Sequence, residues 1–205
     1  MSVETSVAPS WIRLADCGTI RTGPSGQLVG SAERTDSGIP VLRPQNIGID
    51  HRVVEEPLVH VSPATADRLG PYRLQPGDIL CTRTGRLGRP ALVTERQSGW
   101  IFSGNLFRIR PDVEGVDTEY LLQFLASPSA ERWMQTRARQ GTGIPSITLG
   151  DLSDLPVPLL PVAAQRRIVS VLNAVDEKIS THQQIVRTSE QLREVLSREL
   201  FDDQD

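Results

Sequence analysis

The sequence predicts an α+β fold, in which a globular domain with an irregular β-sheet or partial barrel and short helices precedes a long C-terminal coiled-coil helix. Three observations support this fold class. Up to residue 110, short β-type runs alternate with Gly, Pro, Asn and Asp. Two amphipathic helical segments follow. The chain then continues for about forty residues without Gly or Pro, with apolar side chains at steps of three and four.

The globular domain is predicted over residues 11–155, after a lead-in that we expect to be disordered over residues 1–10. Its β-type runs cover residues 39–43, 53–54, 58–61, 78–82, 91–94, 100–102 and 105–110. Ser62 is a typical N-cap and Pro63 suits a first helical position, so a short helix is predicted over residues 62–69.

Two further helices are predicted after the sheet. The first covers residues 117–126, with an N-cap and an apolar face, and the second covers residues 128–138, with Trp133 and Met134 facing inward. Residues 140–145 contain two Gly and one Pro and form a loop. A Pro-rich hinge over residues 156–161 then leads to the final helix.

The final helix is predicted over residues 162–201. At 1.5 Å per residue, about forty residues span roughly 60 Å, which exceeds what a domain of this size covers. The apolar seam of this helix therefore implies a second helix as its partner. The predicted seam residues are Ile168, Leu172, Val175, Ile179, His182, Ile185, Leu192, Leu196 and Leu200. The polar interruptions His182 and Ser189 would set the register of pairing.

The composition bounds the compartment and the cysteine chemistry. The chain has 38% apolar residues, no apolar run near 18 residues and no basic-then-apolar leader, so we expect neither a membrane span nor a secretory signal, and a cytoplasmic location. Cys17 and Cys81 lie far apart with no His nearby. They are expected to be buried as small hydrophobic residues, outside any disulfide or zinc site.

The charge is unevenly distributed along the chain. Residues 1–150 carry 16 basic and 15 acidic side chains, whereas residues 151–205 carry 6 basic and 10 acidic ones, within an overall net charge of −3. Residues 73–110 contain seven Arg against two acidic residues. Such a local excess indicates a basic patch that meets phosphate.

The sequence lacks the patterns that catalysis would require, and no metal site is predicted. It contains no Gly-rich cofactor or phosphate loop. His51, His60 and His182 lie in unrelated segments, which favours structural roles. Residues 176–178 match a nuclease motif by letter but lie in the long helix, where an exposed charged trio is ordinary. An orphan nuclease that uses Asp176 and Lys178 remains a remote alternative.

The remaining hypothesis is a binding surface built on loops. Arg43, Gln45 and Asn46 follow a β-type run, and these side chains are suited to base edges, although Asn46 would equally cap its own turn. Residues 82–90 form an Arg-rich loop suited to phosphate, or else a solvated hairpin. Residues 137–143 repeat the pattern, or else their Arg residues interact with a helix C-terminus. The predicted DNA-binding residues are Arg43, Gln45, Asn46, Arg83, Thr84, Arg86, Arg89, Ser103, Asn105, Arg137, Arg139, Gln140 and Thr142.

Four segments together resemble the specificity (S) subunits of type I restriction-modification systems. They are GIPVLRPQNI (38–47), LQPGDILCTRTG (74–85), GTGIPSI (141–147) and LPVPLLPVAAQRRIV (155–169). The similarity runs from about residue 11 to residue 200 and keeps the family order of the motifs. The segment at 162–165 departs from the family, in which an acidic residue often precedes the Gln, here Gln165.

The resemblance implies a non-catalytic DNA-reading domain and a long helix that docks DNA methyltransferase (modification) subunits. Its implied partners are double-stranded DNA, those methyltransferase subunits and a restriction (translocase/nuclease) subunit, with no membrane. No cofactor is expected in this chain, because S-adenosylmethionine would be held by the partner methyltransferase.

Full-length members of the family carry two recognition domains and two helices, whereas this sequence has one of each. Two copies paired antiparallel would rebuild that arrangement as a homodimer and would read a symmetric, interrupted site. A fragment of a longer gene is an alternative origin. In an alternative function, the chain is a decoy or regulator that binds methyltransferase or specificity subunits through the same helix without reading DNA.

Overall fold

The computed structural model describes residues 9–24, 34–139 and 143–201, and the chain divides into two compact units, Met1–Arg166 and Arg167–Asp205. The described strands are β1 (Ser10–Arg13), β2 (Gly18–Thr22), β3 (Arg34–Thr35), β4 (Ile39–Leu42), β5 (Val59–Val61), β6 (Ile79–Thr82), β7 (Pro90–Leu92), β8 (Ile101–Phe102), β9 (Leu106–Pro111) and β10 (Pro156–Leu159). The helices are α1 (Pro63–Arg68), α2 (Thr118–Leu125), α3 (Pro128–Arg137), α4 (Leu149–Ser153) and α5 (Val162–Phe201).

The predicted α+β class is confirmed, with the strands arranged in separate sheets. One four-stranded sheet has the order β2-β9-β6-β7 and the other the order β3-β5-β4-β8, in which β4 and β8 are parallel. A two-stranded ribbon pairs β1 with β10. Within the described residues neither four-stranded sheet closes into a barrel, because each has two edge strands, β2 and β7 in the first and β3 and β8 in the second.

The first sheet is buried on both faces at β6, which explains the apolar run of this strand. Ile79 and Cys81 face a core formed with the helices, while Leu80 faces the core that also contains Leu42 and Phe102. Successive side chains of a strand point to opposite faces, so a doubly covered strand must be apolar throughout. Cys17 and Cys81 are both buried, as predicted, and burial raises the pKa of Cys81 to about 12.

The two helices that follow predicted caps begin where the sequence indicates. Ser62 accepts a hydrogen bond from the Thr65 backbone N–H at 3.2 Å, and Asp117 accepts one from Tyr120 at 3.1 Å. Each side chain satisfies a backbone donor that a helix N-terminus otherwise leaves unpaired. In α3, Met134 is buried as expected, whereas Trp133 is only half-buried.

The ends of the globular unit differ from the prediction. The segment expected to be a hinge forms β10 at Pro156–Leu159, which pairs antiparallel with β1. Proline is tolerated there because a strand with a single neighbour has one hydrogen-bonding edge to spare. β1 already begins at Ser10, inside the predicted lead-in, and residues 1–8 of that lead-in lie outside the described residues. The pairing joins positions 149 residues apart, which no local pattern reveals.

The long helix covers Val162–Phe201, as predicted. Gln165 in its first turn is fully buried. Its side-chain amide donates to the backbone oxygens of Gly115 and Leu160, both at 2.7 Å, and its Oε1 accepts from the Asp117 N–H at 2.9 Å. These three bonds fasten the start of α5 to the loop before α2 and to the end of the β10 segment.

Candidate nucleic-acid interface

An open cleft of about 900 Å³ lies at the junction of the two four-stranded sheets. Strand ends and turns from both sheets contribute to its walls. Its lining residues are Thr22, Gly23, Pro24, Arg34, Val41, Arg43, Pro44, Gln45, Val59, Arg83, Ser103, Gly104 and Asn105. The fold therefore brings together five of the predicted binding residues, which are Arg43, Gln45, Arg83, Ser103 and Asn105.

Two glycines allow the backbones on either side of the cleft to meet. A Cβ atom on Gly23 would lie 2.1 Å from the Ser103 carbonyl oxygen, and one on Gly104 would lie 2.4 Å from the Pro24 carbonyl oxygen. No side chain fits at these distances, so both positions require glycine. The approach of these segments shapes the wall beside Arg83.

The cleft holds buried donors without protein partners. The Nε atoms of Arg43 and Arg83 and the Oγ of Ser103 are buried and have no hydrogen-bond partner in the described part of the chain. Arg83 is held in place, because its Nη1 donates to the Gly104 oxygen at 3.3 Å and its guanidinium lies 6.0 Å from the Phe107 ring centre. These groups lack an acceptor within the described chain, and a bound water or a ligand in the cleft would supply one.

Asn46 does not join the cleft, in contrast to its predicted role at a base edge. Its side chain is 0% exposed and its Oδ1 accepts from the Arg43 backbone N–H at 3.0 Å. Its amide donates to the oxygens of Val54 at 3.0 Å and Pro57 at 3.1 Å. The side-chain oxygen and the side-chain amide of Asn46 are thus both bound to the protein's own backbone. Asn46 therefore has the alternative, structural role.

We expect Asn46→Ala to destabilise the globular unit, because each buried group left without a partner costs about 1–3 kcal/mol. The measurement is the free energy of unfolding from urea titration. Gln45→Ala is the matched control, since Gln45 is exposed in the same turn, and its effect should stay within about 0.5 kcal/mol. Equal stabilities of the two variants would contradict this role.

In the hairpin that joins β6 to β7, only some of the predicted DNA-binding side chains are exposed. Leu87 is buried, and the Arg89 guanidinium donates to the Ile47 oxygen at 3.3 Å. Burial lowers the pKa of Arg89, with a further contribution from the nearby charge of Arg86. The Thr84 backbone forms a bridge to Ser146. Among the predicted residues of this hairpin, Arg86 is the exposed one.

A second group of exposed arginines lies next to Arg86. Arg139 forms an antiparallel bridge with Ser146, its backbone N–H donating to the Ser146 oxygen at 2.8 Å, and Ser146 also pairs with Thr84. The Arg137 guanidinium lies 3.7 Å from the centre of the Trp133 ring, which orients it. We call Arg86, Arg137 and Arg139 the arginine rim. The predicted binding residues Gln140 and Thr142 lie outside the described residues.

A capping box at the start of α4 contains Asp151, whose carboxylate interacts electrostatically with two arginines of the rim. Asp151 accepts from the Thr148 hydroxyl and from its backbone N–H, the latter at 3.1 Å. The Thr148 hydroxyl is the main cause of a lowered Asp151 pKa, and the charges of Arg139 and Arg137 contribute in the same direction. The carboxylate therefore also places a negative charge near the two arginines.

We expect Asp151 to make stability depend on acid pH. Because its pKa is lower in the folded state than the ordinary 3.8, its contribution is present above that value and is lost as the pH falls through the folded pKa. Asp151→Asn should lower the Tm by about 2–4 °C at pH 7 and by less at pH 3. Calorimetry at both pH values tests this, and an equal loss at the two would contradict it.

The basic segment at residues 73–110 is largely neutralised by the fold, in contrast to the predicted patch. Arg73, Arg96 and Arg110 form ion pairs of 2.8, 2.7 and 2.6 Å with Asp67, Glu55 and Asp78, respectively. Arg108 is only 4% exposed and donates to a backbone oxygen. Of the arginines in this segment, Arg83 lies at the cleft and Arg86 at the arginine rim, and neither is among the described ion pairs.

Sequence reasoning missed Arg34 and Thr22, which line the cleft. Both lie beside common turn residues, Thr22 before Gly23 and Arg34 before Asp36, but such a signal does not indicate a shared site, and the pairing of distant strands is what brings them together. Among residues 9–24, 34–139 and 143–201, no group of His, Cys, Asp and Glu is arranged to hold a metal ion.

The family comparison decides how this surface is interpreted. The model of the type I restriction modification DNA specificity domain matches residues 12–188. The chain belongs to this specificity family. The four motifs identified in the sequence lie inside the matched range, and the resemblance they indicated is confirmed.

Two curated relatives of the specificity-family chain are specificity subunits. The putative type I restriction enzyme MjaX specificity subunit of Methanocaldococcus jannaschii is 23% identical over 177 residues, which are 85% of this chain and 41% of that protein. The type I restriction enzyme HindI specificity subunit of Haemophilus influenzae is 29% identical over 136 residues, which are 64% of this chain and 29% of that protein.

Solved structures of the same class share the fold. The S subunit of M. genitalium aligns with a TM-score of 0.65 at 15% identity, covering all of this chain and 49% of that one. The HsdS subunit of Thermoanaerobacter tengcongensis aligns with a TM-score of 0.64 at 20% identity, covering 89% and 41%. A chain from a type I restriction-modification complex aligns with a TM-score of 0.70 at 21% identity, covering 98% and 46%. This specificity-family chain therefore spans less than half the length of each relative.

The long helix of the specificity-family chain carries its apolar side chains on the outside. The nine predicted seam residues are all exposed in the single chain, and no described helix is long and apolar enough to cross a bilayer. Val175, Ile179, His182 and Val186 line one shallow strip of α5. The seam thus continues through Val186, whereas the predicted Ile185 is not part of this strip.

Proposed function

We propose that this specificity-family chain is the DNA-reading subunit of a type I restriction-modification complex and performs no catalysis itself. The observation that carries the proposal is the adjacency of the cleft and the arginine rim. The Arg83 N–H donates to the Asn105 oxygen at 2.9 Å, and the Arg83 oxygen accepts from the Ile147 N–H at 3.2 Å. Arg83 therefore links the cleft directly to the segment that pairs with Arg139.

We propose duplex DNA as the ligand of this surface because five arginine side chains and two side-chain amides lie at the cleft and the arginine rim. Arg43 and Arg83 in the cleft and Arg86, Arg137 and Arg139 on the rim combine with the amides of Gln45 and Asn105. Arginine forks and amides are the groups that contact phosphates and base edges. Binding through such charges falls steeply with salt.

We propose a second copy of the chain as the partner of α5. The chain corresponds to less than half of the MjaX specificity subunit and of the M. genitalium S subunit, so two copies would supply the two halves. In the seam, the polar side chains bond back to their own helix, with His182 Nδ1 2.7 Å from the Lys178 oxygen and Ser189 Oγ 2.8 Å from the Ile185 oxygen. Because these polar atoms already have hydrogen-bond partners, burying His182 and Ser189 in a helix interface would carry only a small desolvation penalty.

The dimer would read a symmetric, interrupted site and would dock methyltransferase subunits, with S-adenosylmethionine bound in those partners. A restriction subunit is the further proposed member of the complex. These functional roles follow from the family and from the exposed apolar seam, since a symmetric pair presents the same surface twice.

Adenine methylation mapped by sequencing, in cells with and without the chain, tests this function together with co-purification of the methyltransferase subunit. We expect one symmetric bipartite motif to lose methylation when the chain is absent. A stable complex with an unchanged pattern of methylation would contradict DNA reading and would favour a decoy or regulator.

A further inference from the structure

We infer that the cleft is a phosphodiester-binding site, in which Arg43 and Arg83 hold one backbone phosphate of the DNA. The inference deepens the proposed function and rests on it for the identity of the macromolecule. It also changes the expected role of Arg43, which the sequence places among the base-reading residues.

The first argument is the distribution of unsatisfied donors. The described residues contain five buried side-chain nitrogen or oxygen atoms without a partner, and three of them belong to residues that line this cleft. They are the Nε atoms of Arg43 and Arg83 and the Oγ of Ser103. An unpaired buried donor costs about 1–3 kcal/mol, so this concentration marks a place where a ligand supplies the acceptors.

The second argument is charge. The lining contains three guanidinium groups, those of Arg34, Arg43 and Arg83, and no acidic side chain among its described residues. Elsewhere in the same domain, Arg73, Arg96 and Arg110 are each paired with a carboxylate. The fold thus leaves uncompensated positive charge in the cleft, and an acceptor-rich anion is the ligand that compensates it.

The third argument separates phosphate from base. Base edges lie at the bottom of a groove about 8.5 Å deep and are reached by side chains that project from a protein. Phosphates lie on the outside of the duplex and can enter a recess. Arg43 and Arg83 are half-buried, and the described residues that line the cleft include no aromatic ring on which a base would stack. Their recessed position therefore suits a phosphate.

The geometry at Arg83 selects a particular edge of the guanidinium. Because Nη1 is engaged by the Gly104 oxygen, the edge that includes Nε is the one left without an acceptor in the described part of the chain. A guanidinium edge binds two oxygens of a phosphate side by side. Ser103 Oγ supplies a further donor on the same wall.

The test uses the full chain and two probes that differ in a single charge. One probe is the dinucleotide d(TpT), and the other is the same dinucleotide with an uncharged methylphosphonate linkage. The readout is the NMR signal of the Arg Nε–H groups, assigned from the signals that disappear in Arg43→Lys and Arg83→Lys. We expect d(TpT) at millimolar concentration to shift both signals and the neutral probe to leave them unchanged.

Each Lys variant should bind d(TpT) roughly 10-fold or more weakly, because the paired donors are lost while the charge is kept. Arg96→Lys, at an exposed position paired with Glu55 and outside the cleft, should bind as the unmodified chain does. Equal shifts with both probes, or no shift with either, would overturn the phosphodiester site. Arg83 also contacts Phe107, so the Arg83 variants are checked for folding by circular dichroism, and Arg43→Lys provides the test independently.

A second measurement separates this inference from the proposed function. We expect Arg43→Ala to weaken binding to all sequences in a randomised 40-base-pair duplex pool alike, and to reduce the slope of log K against log salt by about 1. Relaxed selectivity at one base position would assign Arg43 to base reading and overturn the inference. If the unmodified chain binds d(TpT) in the cleft but no duplex, the proposed function fails and the phosphodiester site stands.

Discussion

Replacing two seam residues by aspartate, Leu172→Asp with Ile179→Asp, is expected to separate the proposed dimer into monomers. In an antiparallel pair the two substitutions introduce four charges into the apolar interface, and each large apolar side chain contributes about 1.5–3 kcal/mol when buried. The dissociation constant of the dimer should rise at least about 1,000-fold. Sedimentation velocity measures this change directly.

The matched control places the same two charges on the other side of the helix. Thr181→Asp with Gln184→Asp introduces the same two charges into the same helix, but both positions lie away from the strip that contains Val175 and Ile179. This control variant should remain a dimer with the same helical circular dichroism. A monomeric unmodified chain, or equal assembly of the two variants, would contradict pairing through the seam.

Removing the arginine rim, by Arg86→Ala with Arg137→Ala and Arg139→Ala, is expected to weaken duplex binding at least about 100-fold. The three side chains are exposed, so their loss removes contacts to DNA without opening the core. Three lost phosphate contacts would reduce the slope of log K against log salt by about 2–3. Fluorescence anisotropy with a labelled duplex at several salt concentrations gives both values.

The rim variant tests DNA binding more specifically than a variant of the three hairpin arginines, Arg83, Arg86 and Arg89. Arg83 and Arg89 donate to the backbone oxygens of Gly104 and Ile47, so their replacement would also disturb the fold. Arg132→Ala is the matched control, because Arg132 is exposed on α3 and bonds within its own helix to Ser129 at 3.4 Å. Unchanged binding by the rim variant would remove the rim from the interface.

Local signals in the sequence were sufficient for most of the helices. Caps such as Ser62 and Asp117 act on the next few backbone donors, and the apolar repeat of α5 depends only on the helical period. The strand β1, its partner β10 and the helix α4 were not predicted. Strand pairing joins residues far apart in the chain, and a strand such as Pro156–Leu159 carries a composition typical of a hinge.

The binding residues divide in the same way. Their chemical types could be recognised from the sequence, and five of them do line one cleft. The sequence did not show which arginines remain available to a ligand, because a guanidinium group is neutralised wherever a carboxylate from a distant segment reaches it. Arg96 and Glu55 illustrate this, since their ion pair joins residues 41 positions apart. Asn46 is likewise consumed by carbonyl oxygens that only the folded turn brings near.

The sequence by itself therefore determined the fold class, the long helix and the family, since caps, helical periodicity and ordered motifs are local properties of the chain. The tertiary structure alone decided which arginines remain available, that Arg34 joins Arg43 and Arg83, and that glycines at 23 and 104 let two segments meet. The physical reason is that burial and charge compensation depend on contacts between segments distant in the chain, which the packing of the two sheets creates.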